Sequence, residues 1–105
     1  MNNQFLYLTT TGRKTGLPRE IEIWYVEADG LHYILAEHGR QAQWVRNILS
    51  NPRVTVRIAD QRSDGFARVL DPDRDAVVYS RARRLSYDKY GWGEGLPVEI
   101  RLIGN

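Results

Sequence analysis

Residues 20–36 read EIEIWYVEADGLHYILA, and this stretch decides the fold. Apolar and polar side chains alternate along residues 20–27, and apolar side chains recur at every second position along residues 31–36. Period-two alternation predicts half-buried β-strands. Between the two runs, the Asp-Gly pair within residues 28–30 supplies the positive-φ positions of a tight turn. The sequence therefore predicts a β-hairpin as the centre of the fold.

Four further strands and two helices are predicted around this hairpin. The strands are expected at residues 5–9, 54–58, 64–70 and 98–102, and the helices at about 41–50 and 71–84. Mostly antiparallel strands with short helical excursions are typical of a small barrel. We therefore expect a mainly β (α+β) fold with six antiparallel strands in one domain that spans residues 1–105.

Both predicted helices carry recognisable signals. In the first, Trp44 and Ile48, and likewise Val45 and Leu49, are four residues apart and form one apolar stripe. The second is expected to begin at Asp71 as the N-cap, with proline at the next position. Three arginines (Arg81, Arg83 and Arg84) would then close its last turn, where cations suit the helix dipole. We favour this structural explanation of the arginines over a binding role.

Composition limits the class of protein. Hydrophobic residues make up 42% and charged residues 27% of 105 residues, as in ordinary soluble domains. Cysteine is absent, so disulfides, thiolate metal sites and cysteine nucleophiles are excluded. Residues 1–4 lack the basic and apolar regions of a signal peptide, and no apolar run is long enough to span a membrane. The sequence therefore predicts a cytoplasmic protein.

The segment with the clearest functional chemistry is residues 9–19, TTTGRKTGLPR, which we call the basic segment. It is longer and more basic than a connection between two strands requires, and it places three cations among two glycines and four threonines. Backbone N–H groups in a concave loop can bind an anion while arginines clamp it from outside. The glycine spacing matches neither a P-loop nor a dinucleotide fingerprint. The alternative is a long, solvated hairpin loop.

Three motifs in order resemble the deazaflavin (F420)-dependent nitroreductase family. They are the basic segment, the run YILA at residues 33–36 followed by Gly39, and WVRNILSNP at residues 44–52, which is similar to the family's W-x-x-N-L-x-x-N-P helix. The resemblance covers roughly residues 5–58. It implies a split β-barrel related to the FMN-binding oxidoreductases, with coenzyme F420 as the cofactor and a small electrophile such as a nitroaromatic, a quinone or an activated enone as the acceptor.

The resemblance also implies the site residues. The loop around Thr11 and Gly12 would hold the phosphate and acidic tail of F420, with Arg13, Lys14 and Arg19 as the anion ligands. The segment from Ala36 to Gly39, with Glu37 and His38 between them, would lie beside the ring system. The helix that carries Trp44 and Asn47 would pack nearby, although Trp44 also fits a plain core role. Tyr87 and Tyr90 would line the substrate pocket or supply a proton, or serve as core or dimer contacts.

This sequence departs from the family at one informative place. The family often has Ser-Lys where this chain has Glu37-His38, which removes a cation near the cofactor and adds a carboxylate. His38 is then either a replacement donor or a surface residue. The change keeps FMN or haem open as alternative cofactors in the same fold.

The residues by themselves leave the chemistry open. The sequence shows no catalytic triad and no paired carboxylates, and its two histidines are too few for a histidine-based metal site. A hydride-transfer enzyme needs none of these, because the cofactor carries the reactive atom. A non-catalytic module that binds a cofactor or single-stranded nucleic acid is the alternative, though a net charge of +2 makes nucleic acid a weak candidate. Uncovered strand edges of a small barrel predict a homodimer.

Overall fold

The computed structural model describes residues 4–103, so most of the N-terminal stretch used in the signal-peptide argument lies outside the described residues. The elements follow one another as β1 (Phe5–Thr11), β2 (Pro18–Trp24), β3 (Val26–Ala28), β4 (Leu31–Ala36), a short 3-10 turn (Gly39–Gln41), α1 (Gln43–Ser50), β5 (Arg53–Ile58), β6 (Gln61–Val69), α2 (Ala76–Tyr90) and β7 (Leu96–Leu102). Within this part of the chain, no helix is both long enough and apolar enough to cross a membrane.

The strands form one curled antiparallel sheet in the order β2-β1-β5-β6-β7-β4-β3. The two edge strands of this order, β2 and β3, are consecutive in the chain. The prediction of six strands is therefore wrong in number, because the strand expected at residues 20–27 is divided at Tyr25 into two. Residues before Tyr25 pair with β1, whereas residues after it pair with β4. One continuous segment thus belongs to both edges of the sheet and brings them together.

Tyr90 holds the chain at the point where it changes partner. Its hydroxyl accepts a hydrogen bond from the Tyr25 N–H at 3.2 Å and lies within hydrogen-bonding distance of the carbonyl oxygens of Gln4 and Tyr25. Its ring stacks on Trp24 with the centroids 4.5 Å apart. The last turn of α2 is therefore part of the seam between the two edges.

The core lies inside the curl. Inward-facing side chains of the strands meet there, as the alternation predicted, and they include Leu6, Leu8, Ile34, Val54, Val56, Val98 and Ile100. On α1 the buried residues are Val45, Asn47 and Ile48, while Trp44 packs against the core and stays partly exposed. The prediction that Leu49 belongs to the apolar stripe is wrong. Its side chain is 54% exposed, because the narrow buried face of this eight-residue helix is already filled.

The predicted hairpin is confirmed. β3 and β4 pair across Asp29 and Gly30, whose φ values are 56° and 79°. Two consecutive positive φ values match the twist of the flanking strands and explain why this Asp-Gly pair turns the chain in two residues.

The second helix begins later than the sequence predicted. Asp71 accepts hydrogen bonds from the backbone N–H groups of Asp73 and Arg74 at 2.8 and 2.9 Å, and this side-chain turn replaces the expected N-cap. α2 therefore starts at Ala76, and it ends at Tyr90, where Gly91 adopts a left-handed conformation. The start differs because a local aspartate turn competes with helix initiation.

The helix-dipole explanation of the three arginines is consequently wrong, since they lie in the middle of α2. Arg81 pairs with Asp29 at 2.8 Å and Arg84 with Asp88 at 3.3 Å, while Arg83 donates to the Gly93 carbonyl at 2.8 Å. The Arg84 contact lies within α2, and the other two join α2 to neighbouring loops. Their role is structural, although the contacts differ from those expected.

His32 makes the stability of this fold sensitive to pH. Its ring is buried, and Nδ1 has no hydrogen-bond partner among the described residues. Burial lowers the pKa of His32 below the ordinary value of 6.5, an effect that Glu27 partly offsets. The unfolded chain therefore takes up a proton at a higher pH than the folded chain. Stability should fall as the pH drops through about 6.5, by about 1.4 kcal/mol for each unit by which the pKa is lowered.

Urea unfolding at about pH 7.5 and about pH 5.5 measures this loss. In His32→Phe, which keeps a ring beside Tyr25, the difference between the two pH values should shrink. An unchanged difference in the variant would assign the acid sensitivity to other groups.

Candidate functional site

The basic segment forms a compact loop between β1 and β2. The N–H of Gly12 donates to the Leu17 carbonyl at 2.8 Å, and the N–H of Gly16 donates to the Gly12 carbonyl at 2.7 Å. Thr15 accepts the N–H of Leu17 at its hydroxyl. Gly16 has φ of 75°, which permits this closure. The N–H groups of Gly12, Gly16 and Leu17 are therefore used within the loop, and the cationic side chains are the charged groups that it offers to an anion.

Asn47 fixes the loop to helix α1. Its Oδ1 accepts hydrogen bonds from the Arg13 backbone N–H at 3.2 Å and from the Arg13 guanidinium at 3.0 Å. Its Nδ2 donates to the Thr10 hydroxyl at 3.1 Å. Thr11, the last residue of β1, is half-buried and pairs with Pro18 across the loop. The structure therefore brings together the residues from Thr10 to Arg13 and Asn47, as expected for one site.

Arg19 lies against the same loop. A Cβ built on Gly12 would be 3.4 Å from Arg19 Nε and 3.1 Å from the Leu17 carbonyl oxygen, which shows how closely the arginine folds back. Lys14 is exposed. Across residues 4–103, Arg13, Lys14 and Arg19 form no salt bridge with a carboxylate. Three unpaired cations thus lie on a rigid loop, which is the electrostatic requirement for an anion site.

An aromatic groove runs between the unpaired edge of β2 and the end of β4. It has a volume of about 780 Å³ and is lined by Phe5, Ile21, Glu22, Ile23, Trp24, Leu35, Glu37, His38, Ala42, Trp44, Ser86 and Trp92. The sheet is open here because β3 pairs with only the first half of β4. A groove of this size with mostly apolar walls suits a planar ring system.

Two glycines, Gly95 and Gly39, lie next to lining residues of the aromatic groove. A Cβ on Gly95 would lie 2.8 Å from the Trp92 ring and 2.9 Å from the Ala36 carbonyl oxygen, so only glycine lets the tryptophan approach β4 this closely. Ala36 itself is buried. Gly39, with φ of 57°, opens the 3-10 turn that follows Glu37 and His38. Of the predicted segment 36–39, Glu37 and His38 therefore line the groove, and Ala36 and Gly39 flank them in the chain.

The polar side chains of the groove are few. Glu37 and His38 are exposed on its lining, and Glu22 also faces it. The Glu22 carboxylate accepts a hydrogen bond from the Tyr7 hydroxyl at 2.9 Å, and this bond is the main cause that raises the pKa of Tyr7. Among the described residues, the groove lining contains the carboxylates of Glu22 and Glu37 and the imidazole of His38, and no lysine or arginine belongs to it.

Helix α1 joins the groove to the basic segment. Trp44 lines the groove and Asn47 holds Arg13, and residues three apart on a helix lie on one face. The predicted residues of the two regions are thus placed side by side by a single turn of helix.

Tyr87 and Tyr90 are placed differently from the other predicted residues. The Tyr87 side chain is 61% exposed and is absent from the groove lining. Tyr90 lies behind the groove, where its ring supports Trp24 and its hydroxyl is occupied at the seam. The groove-lining aromatics that the sequence argument missed are Phe5, Trp24 and Trp92. An exposed tryptophan on the polar face of β2 was the one available signal for Trp24.

The curled antiparallel sheet with its open groove has a split-barrel fold. A solved F420-H2-dependent reductase, FDR-A, shares it with a TM-score of 0.68 and 26% identity over 98% of this chain and 96% of that chain. A solved domain-swapped dimer, also 26% identical, has a TM-score of 0.68 over 98% of this chain and 82% of that chain.

The chain belongs to the F420H(2)-dependent quinone reductase family, whose family model matches residues 1–102. A curated F420H(2)-dependent quinone reductase of Mycobacterium tuberculosis is 31% identical over 70 residues, which is 64% of this chain and 47% of that protein. The chain spans about half the length of the curated relatives it matches. The predicted resemblance to F420-dependent reductases is confirmed, and the family's dependence on F420H(2) supports the predicted cofactor.

Proposed function

We propose that the protein is an F420-dependent reductase that binds the ring of coenzyme F420 in the aromatic groove and reduces a quinone. The observation that carries the proposal is the junction at α1, where the apolar groove meets three unpaired cations. One molecule with a planar ring and an anionic tail would satisfy both regions.

The residues present fit this cofactor. Aromatic walls at Trp44, Trp92 and Trp24 provide flat apolar surface for a ring. Arginine is suited to bidentate recognition of phosphate and carboxylate groups, and Arg13 and Arg19 are the arginines of the loop. The predicted ligands Thr11, Gly12 and Lys14 would lie at the end of the site that holds the anionic tail. Glu37, His38 and Gly39 would lie beside the ring.

When bound, reduced F420 supplies a hydride, and the acceptor also gains a proton as it is reduced. The chain's part is to bind, orient and exclude water. His38 is the imidazole of the groove lining, and we assign it the role of donating a hydrogen bond or proton to the oxygen of the quinone. Tyr90 fits this role less well, because its hydroxyl is engaged at the seam. Nitroaromatics and activated enones are the other acceptors that the sequence predicted.

Fluorescence titration of purified protein with F420 tests the proposal, followed by turnover of reduced F420 with menadione as a simple quinone. We expect saturable binding at micromolar protein and quinone-dependent oxidation of the cofactor. FMN and haem are titrated in parallel, because they are the alternatives for this fold. Tight binding of FMN or haem with no binding of F420 would overturn the proposal.

Replacing His38 should affect turnover more than cofactor binding. In His38→Ala we expect kcat with menadione to fall by about 100-fold, which is the low end for loss of a general acid. The dissociation constant for F420 should change by less than about twofold, because the basic segment holds the tail. Asp60→Ala, at an exposed position outside the groove lining, is the control and should leave both constants within about twofold of the wild type. An unchanged kcat in His38→Ala would mean that His38 is a surface residue without a part in the reaction.

We further propose a homodimer in the cytoplasm, as the sequence predicted. The edge strand β2 carries the exposed Trp24, which pairs with the exposed Phe5 of β1 beside the groove, and such an edge is commonly covered by another chain. The similarity to a domain-swapped dimer supports this arrangement. Light scattering coupled to size-exclusion chromatography should give twice the mass of the chain, and a monomer at all concentrations would contradict the dimer.

A further inference from the structure

Asn47 is an unusual residue for the middle of a short helix. Its side chain is buried with 4% exposure among the apolar residues of α1, where an amide is costly unless its polar atoms are hydrogen-bonded. Both of them are satisfied, since Oδ1 accepts twice from Arg13 and Nδ2 donates to Thr10. Three of the four hydrogen-bonding positions of the amide are therefore used within the protein, which leaves one Nδ2 hydrogen.

Arg13 determines which way the amide faces, because its N–H and guanidinium can only donate, whereas the Thr10 hydroxyl can donate or accept. The Thr10 side chain is 1% exposed on the inner face of β1, and its hydroxyl receives the Nδ2 hydrogen at 3.1 Å. With Nδ2 turned toward β1, Oδ1 is turned toward Arg13. A strand, a helix and the loop are thus joined by one side chain.

Arg13 is held along only one edge of its guanidinium. Nη1 donates to Asn47 at 3.0 Å, and no other protein acceptor for the guanidinium occurs within residues 4–103. The other edge, formed by Nε and Nη2, is the fork that binds an anionic oxygen pair. A fork held in advance loses less conformational entropy on binding than a mobile one.

We propose that Asn47 is a positioning residue, which does not contact the cofactor but orients Arg13 toward the anionic tail. The inference rests on the proposed function for the identity of the anion. It also changes the role expected from the sequence, where Asn47 was a direct cofactor-binding residue.

The matched substitutions are Asn47→Asp and Arg13→Gln, alone and combined. An aspartate keeps the acceptor for Arg13, and the Thr10 hydroxyl can donate to its second oxygen, so the local fold is retained. Its charge, however, neutralises Arg13 at the edge opposite the fork. Gln43→Glu adds the same charge to an exposed position of α1 and serves as the control. Thermal unfolding confirms that each variant is folded before binding is measured.

We expect Asn47→Asp and Arg13→Gln each to raise the dissociation constant for F420 about tenfold. The double variant should be within about twofold of Arg13→Gln, because Asn47 acts through an arginine that is no longer present. Gln43→Glu should remain within about twofold of the wild type. Additive losses in the double variant, or unchanged binding in Asn47→Asp, would overturn the inference.

Inorganic pyrophosphate separates this inference from the proposed function. The same variants are titrated with pyrophosphate, and its binding is followed by thermal shift. If the double variant binds pyrophosphate as weakly as Arg13→Gln does while F420 does not bind at all, the proposed cofactor is overturned and the role of Asn47 is left standing. If F420 binds and the losses of affinity from Asn47→Asp and Arg13→Gln add up in the double variant, only the role of Asn47 is overturned. Failure of the wild type to bind either ligand would overturn both.

Discussion

Replacing Arg13 and Arg19 together by glutamine is expected to weaken F420 binding by about 100-fold. A hydrogen bond to a charged group contributes about 1.5–3 kcal/mol, so the loss of two such contacts corresponds to about 3 kcal/mol or more. Neither guanidinium has a carboxylate partner in the described part of the chain, so the full charge of each is available to the ligand. Fluorescence titration at low and high salt measures the affinity, and the variant should also show a weaker dependence on salt.

The control is a pair of exposed arginines remote from the loop in the sheet order, Arg62 on β6 and Arg101 on β7. Replacing both by glutamine changes the net charge by the same amount. F420 binding should then remain within about twofold of the wild type. An equal loss in the two double variants would mean that overall charge, rather than the basic segment, attracts the cofactor.

Gly93→Ala is expected to destabilise the fold by about 3 kcal/mol or more. A Cβ at this position would overlap the Arg83 carbonyl oxygen and lie 3.1 Å from the Tyr87 Cβ. The overlap is with the backbone of α2, which cannot yield as a flexible side chain would. Two hydrogen bonds hold residues 92–93 against α2: Arg83 donates to the Gly93 carbonyl at 2.8 Å, and Ser86 donates to the Trp92 carbonyl at 2.6 Å. Displacing this segment would also move Trp92 out of the groove wall.

Urea unfolding of the variant measures the effect, with Gly91→Ala as the control. Gly91 has φ of 77° and open space around its Cα, so alanine there carries only conformational strain, about 1 kcal/mol. Equal losses of unfolding free energy in the two variants would show that the close approach of residues 91–95 to α2 does not contribute to stability.

Most of the strands could be predicted because alternation is a local property. The hairpin at residues 28–30 was predictable from Asp-Gly, and the strands at residues 54–58 and 98–102 from their β-branched and aliphatic alternation. The division at Tyr25 was missed, although the alternation changes phase there: Ile21, Ile23 and Tyr25 face inward, whereas beyond Tyr25 it is Val26 that is buried and Glu27 that is exposed. The partners of the two halves, β1 and β4, are segments distant in the sequence, and only the folded sheet shows them.

The candidate site divides in the same way. Its cations and its motif residues were identified from the sequence, since residue type and spacing carry that information. The groove lining at Phe5, Trp24 and Trp92 was missed, because these residues are distant in sequence and meet only when the sheet curls. Tyr90 was expected either at the substrate pocket or as a core or dimer contact, and in the fold it packs against the core with its hydroxyl at the seam.

By itself, the sequence determined the strands, the hairpin turn and the cationic composition of the basic segment, because each depends on neighbours along the chain. The tertiary structure alone decided that β2 and β3 would occupy opposite edges of one curled sheet, and that α1 would set Trp44 beside the groove and Asn47 against Arg13. The physical reason is that a buried amide and an open sheet edge acquire their partners only from segments far away in the sequence.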